Sequence, residues 1–132
     1  MPLKKNGVGT PEEWLRYAYS DLELARVTPP PNVMLEALCF HAQQTVEKAM
    51  KAVLVKKGIP FPKSHSIRML MDLLSKGIEI PEEIEEAAIL TDYAVISRYP
   101  GDVEPVDEDE YQEAVQLAQN VLRWAEKMIQ EK

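Results

Sequence analysis

The sequence predicts an all-α protein, an up-and-down antiparallel bundle of four to five helices, on three observations. Apolar residues recur at intervals of three and four in five separate segments, and nowhere alternate as in a half-buried strand. Eight of the ten prolines fall at Pro29 to Pro31, Pro60, Pro62, Pro81, Pro100 and Pro105, between those segments, where they punctuate the chain. Every connection is short, which makes successive helices antiparallel neighbours. At 132 residues and 45% hydrophobic content, one core and one domain are expected.

The first segment opens on Thr10-Pro11-Glu12-Glu13. Thr10 suits the N-cap, Pro11 the first helical position, and Glu13 reaches back to close a capping box. Trp14, Ala18, Leu22 and Ala25 form its apolar face, with Asp21 beside them, and the triple proline ends it. The second and longest helix is expected over residues 33–57, with a stripe of Leu35, Cys39, Ala42, Val46, Ala49, Met50 and Val53. Cys39 lies inside that stripe and reads as a small core residue. His41, Gln44, Lys48 and Lys51 lie round the other side, and Glu47 stands four before Lys51 for a helical ion pair. Gly58 is placed to end the helix in the left-handed conformation.

A third helix is expected over 65–75, carrying Ile67, Leu70, Met71 and Leu74, and Gly77 ends it. Pro81 begins a fourth with Ile84, Ala87, Ala88, Thr91 and Val95 on its face. The glutamates at 82, 83, 85 and 86 in its first turns suit the positive end of a helix dipole and do not suggest a metal site. The fifth starts at a capping pattern from Asp107 to Glu110. It has the cleanest periodicity, from Tyr111 and Ala114 through Ala118, Val121 and Ala125 to Ile129.

Composition narrows the function. The net charge of −7 argues against indiscriminate nucleic-acid binding, which requires many cations against phosphate. The charge is uneven: residues 1–76 hold 11 Lys and Arg against 7 Asp and Glu, and residues 77–132 hold 4 against 15. A local basic surface from Lys48, Lys51, Lys56, Lys57, Lys63 and Arg68 is therefore possible, either as solvated helix faces or as an anion site. The lone cysteine, with no secretory signal and no apolar run of spanning length, points to a cytoplasmic protein without a membrane association.

Common catalytic plans are missing. Two histidines supply no zinc spacing, the five glycines form no phosphate loop, and no Glu stands three before either His as a di-iron bundle requires. No metal and no cofactor is expected. What remains is a polar constellation: His41, Gln44, Glu47 and Lys48 on the long helix, His65 at the entry to the third, and Asp92, Tyr93, Arg98 and Tyr99 at the end of the fourth. A guanidinium at Arg98 suits bidentate bonds to phosphate or carboxylate, and Tyr93 or Tyr99 suits stacking on a base. Equally, Arg98 suits capping of helix-end carbonyls or pairing with Asp92.

Several strings resemble a known family. Cys39-Phe40-His41-Ala42-Gln43-Gln44-Thr45-Val46-Glu47-Lys48-Ala49-Met50-Lys51-Ala52 resembles the long second helix of HEPN domains. His65-Ser66-Ile67-Arg68-Met69-Leu70, followed by Leu73-Leu74, is similar to the family's short third helix, and Tyr93 through Arg98-Tyr99-Pro100 to the end of its fourth. Asp21-Leu22 with Ala25 is similar to the first. The resemblance covers about residues 11–128.

It implies a four- to five-helix bundle that dimerises, in one of two settings. Many small HEPN proteins are encoded beside a minimal nucleotidyltransferase, as a two-component or toxin–antitoxin pair. Others are metal-independent ribonucleases with an Arg followed four to six residues later by a His. This chain departs from the second pattern, since Arg98 is followed by Tyr99, Pro100, Gly101, Asp102, Val103, Glu104 and Pro105, with no His. The leading expectation is thus a module without complete catalysis of its own, a homodimer that binds a nucleotide beside a separate nucleotidyltransferase subunit. The alternatives are a degenerate ribonuclease using His41 or His65, whose type of side chain titrates near neutrality, and a module serving assembly alone.

Overall fold

The computed structural model describes residues 9–93 and 105–131, and the order of elements is α1 (Pro11–Ala25), α2 (Leu35–Lys57), α3 (Ile67–Ser75), α4 (Glu82–Glu85), a 3-10 helix (Glu86–Tyr93) and α5 (Glu108–Gln130). Among the described residues there is no strand, and no helix is long and apolar enough to cross a membrane. The all-helical architecture is the one expected.

Local chemistry sets the ends of the elements. The Thr10 hydroxyl accepts the Glu13 N–H at 3.1 Å, and the Glu13 carboxylate accepts the Thr10 N–H at 2.8 Å, so the expected capping box is complete. Such a cap contributes about 1 kcal/mol. Gly58 ends α2 at φ 72°, and the Ile59 N–H reaches back to the Leu54 carbonyl at 2.9 Å. Ser66 caps α3 by accepting the Met69 N–H, and Asp107 caps α5 by accepting the Glu110 N–H at 2.7 Å.

The long α2 is the axis of the bundle. α1 packs along it on one side and α5 on another, while α3 and the 3-10 helix close the rest. In consequence 13 of its 23 residues are buried, including the polar Gln43, Thr45, Glu47 and Lys51. Cys39 is wholly buried in the core, and that burial raises its thiol pKa to about 12. α1 is tied to α5 by the Tyr111 hydroxyl, which donates to the Ala25 carbonyl at the end of α1.

The fourth helix differs from expectation. Only one α-turn forms, and the chain then tightens into 3-10 geometry from Glu86 to Tyr93. Burial shows why: Ile84, Ala87 and Leu90 face the core at intervals of three, the period of a 3-10 helix, while Ile89 is exposed. Four carboxylates within five residues repel each other and also disfavour regular α-geometry. Thr91 Oγ1 is left buried without a hydrogen-bond partner among the described residues. Val95, expected on this face, lies outside them.

Candidate functional site

The polar strip of α2 is organised by two carboxylates that the apolar periodicity conceals. Asp21 stands among Ala18, Leu22 and Ala25 on the inward side of α1 and is only 8% exposed. Its Oδ1 lies 3.0 Å from His41 Nδ1, and its Oδ2 accepts from Lys48 Nζ at 2.6 Å. His41 and Lys48 are seven residues apart, two turns along one face of α2, so one carboxylate on α1 reaches both. Thr45, between them, donates its hydroxyl to the His41 carbonyl at 2.9 Å.

Glu47 forms the second centre and is 2% exposed. One oxygen lies 3.0 Å from His65 Nδ1 and accepts from the Gln43 and Gln44 amides at 3.3 Å each; the other accepts from Lys51 Nζ at 2.7 Å. Gln43 also donates to the His65 carbonyl at 3.0 Å, and Gln44 donates to Gln43 at 2.8 Å. Lys51 Nζ in turn sits 5.4 Å from the Trp14 ring and 5.9 Å from the Phe61 ring, which meet edge to face. With this many donors the buried carboxylate has its hydrogen-bonding capacity met. Lys51 is thereby removed from the basic surface expected of it: the bundle encloses the Glu47–Lys51 pair, because α2 has no free solvent face at that level.

Each imidazole lies with Nδ1 against a carboxylate, an acceptor that draws an Nδ1–H toward it and turns Nε2 away. The His65 side chain is 72% exposed, His41 31% and Lys48 24%. The arrangement therefore presents two oriented ring nitrogens, an ammonium and the partly buried Gln44 amide. It can contact an anion or a hydrogen-bonding ligand, and it can move protons. Among the described residues no group of three or more His, Cys, Asp or Glu is arranged to hold a metal ion.

The end of the fourth segment is less integrated with this strip. Asp92 is exposed, 3.9 Å from Arg68. Tyr93 gives its hydroxyl to Glu110 of α5, and burial followed by that bond raises its pKa. Arg98 and Tyr99 lie outside the described residues. His41, Gln44, Glu47, Lys48 and His65 of the expected constellation thus come together, and Asp21, expected only to stand beside the apolar face of α1, joins them. For Asp21, an acid at a core-facing helical position is the signal the sequence offers.

Comparison with known proteins agrees with this architecture. The chain is 27% identical over 135 residues to the Methanocaldococcus jannaschii protein named "Putative toxin MJ1304", across 90% of this chain and 88% of that one. Two solved structures superpose closely: TT1696 from Thermus thermophilus (TM-score 0.74, 30% identity, 89% of this chain and 97% of that one) and ST0689, an archaeal HEPN homologue (TM-score 0.73, 30% identity, 92% and 99%). The HEPN domain family model matches residues 11–128. With that match over nearly its whole length, the chain belongs to the HEPN domain family.

Proposed function

We propose that this chain is the binding component of a two-component, toxin–antitoxin-type pair, and that it holds a nucleotide-type anion on the strip formed by His41, Gln44, Lys48 and His65. In this reading it is a homodimer, and the chemistry belongs to a separate nucleotidyltransferase subunit. The observation that carries it is the pair of carboxylate-anchored imidazoles, which in the imidazolium form donate from Nε2 while Nδ1–H stays on the carboxylate, so that Nε2–H and the neighbouring Lys48 ammonium suit phosphate oxygens. Support of a coarser kind comes from the likeness to a protein named a toxin. Thermal shift with ATP and GTP tests the reading, because a ligand of the folded state raises the melting temperature by mass action. A rise in wild type that is lost in Lys48→Ala is expected; no rise with either nucleotide, with or without a co-purified partner, contradicts it.

A second reading draws on the same anchored imidazoles. A histidine held at Nδ1 by a carboxylate has the geometry of a general base, so His41 and His65 suit phosphodiester cleavage without the family's Arg-to-His spacing. Labelled RNA incubated in chelator distinguishes the two. Cleavage lost in His41→Ala or His65→Ala favours the ribonuclease, and RNA left intact by the wild type removes it.

A further inference from the structure

An open cavity of about 560 Å³ lies between α3, the loop after it and the segment from the α4 turn to Ala88. Its volume is that of a small-molecule site. Met71, Ile78, Ile80 and Ala88 give it an apolar floor, and Asp72, Glu79 and Glu85 stand exposed around it. No ion pair joins these three carboxylates to a cation among the described residues. Arg68, at the edge, is directed toward Asp92 at 3.9 Å. Residues 68–93 carry seven acids against Arg68 and Lys76, so the field over the cavity is net negative.

We propose that this cavity binds a small linear aliphatic amine, a diamine or polyamine, with its methylenes on the apolar floor and its ammonium groups among Asp72, Glu79 and Glu85. Three lining carboxylates against the single Arg68 disfavour an anion. The carboxylates are not clustered closely enough for a metal ion, since no such group exists among the described residues. Charges distributed around an apolar surface instead match charges distributed along a hydrocarbon chain. This site is separate from the α2 strip and does not depend on the function proposed there.

The test is a titration of ¹⁵N-labelled full chain with 1,4-diaminobutane, 1,8-diaminooctane and spermidine at about 0.15 M salt, where exposed charges more than about 8 Å apart are screened. Amide shifts are expected at Asp72, Ile78 to Ile80, Glu85 and Ala88. Affinity should rise with chain length, by up to about fourfold for each methylene laid on the floor. Glu79→Gln/Glu85→Gln should weaken binding by about tenfold, with an unchanged melting temperature because both side chains are exposed, whereas Glu113→Gln on α5 should have no effect. Affinity that follows charge alone, or shifts spread equally over α5, would reduce the cavity to diffuse counterion attraction and overturn the proposal. A tri-arginine peptide that binds here when no diamine does would overturn it in favour of a basic protein segment.

Discussion

Glu47 and His65 stand 18 positions apart in sequence, yet the buried carboxylate lies 3.0 Å from the exposed imidazole and fixes its orientation. One oxygen of Glu47 serves this surface histidine while the other serves the buried Lys51, which rests against Trp14 and Phe61. The same carboxylate therefore links the start of α1, the middle of α2 and the entry to α3.

Breaking that link from one side should be costly. Glu47→Leu leaves Lys51 buried without its anion, and a loss of about 3 kcal/mol or more in denaturant unfolding is expected. Adding Lys51→Met should restore most of the loss, since an apolar pair of similar volume replaces a buried ion pair at little net cost. A double variant no more stable than Glu47→Leu alone would show that the pair does not carry the effect.

Cys39 should behave as a core residue. Its thiol is wholly buried and its pKa lies near 12, so little thiolate exists at neutral pH. Native protein is expected to resist a thiol-reactive dye and to react fully once unfolded. Rapid labelling of the native state at the rate of a free thiol would contradict the packing of α2.

Much of this was legible in the sequence, and what was not has a physical cause. Thr10-Pro11-Glu12-Glu13 and Gly58 marked helix ends correctly because capping is local chemistry. Cys39 and the Ala42–Val46–Ala49–Val53 stripe were read correctly because burial follows periodicity. A surface position is expected for Lys51, but α2 is covered on several sides and only the strip of His41, Gln44 and Lys48 stays partly open at its middle. The α4 region was read as a regular helix because Ile84 and Ala87 fit a period of 3.6 as well as 3.0. Only Leu90, buried while Ile89 is exposed, separates the two. The links from Asp21 to His41 and Lys48 span 20 and 27 positions, beyond any local pattern.

Gly58 provides a check on backbone geometry. It holds φ at 72° with no atom within 4 Å of where a Cβ would stand, so substitution meets conformational strain and no clash. Gly58→Ala should cost about 1 kcal/mol, measurable as a shifted urea midpoint with an unchanged slope. A stabilised Gly58→Ala variant would mean that α2 does not end in the left-handed conformation.

Alkaline pH should destabilise the fold. Tyr19 is raised chiefly by its hydrogen bond to Glu126, while Tyr93 and Tyr111 are raised chiefly by burial. A folded-state pKa above the unfolded value of about 10 favours the neutral phenol. That contribution is complete below pH 10 and is lost as pH rises through the folded values. Absorbance at about 295 nm should show delayed tyrosinate formation, with the melting temperature falling only above about pH 10. Ionisation of all the tyrosines together near 10 would contradict the contacts to Glu126 and the Ala25 carbonyl.

Asp21 and Glu47 hold His41 and His65 through Nδ1–H and turn each Nε2 away from the carboxylate, where as an N–H it can donate to a phosphate-bearing ligand. Imidazole ¹⁵N spectra recorded with and without ATP test this arrangement most directly. Both rings are expected with Nδ1 protonated in the free protein, both Nε2 resonances should move toward the protonated position on saturation with ATP, and that response should be lost at His41 in Asp21→Asn. Rings in the opposite tautomer, or imidazole resonances unmoved by saturating nucleotide, would contradict it.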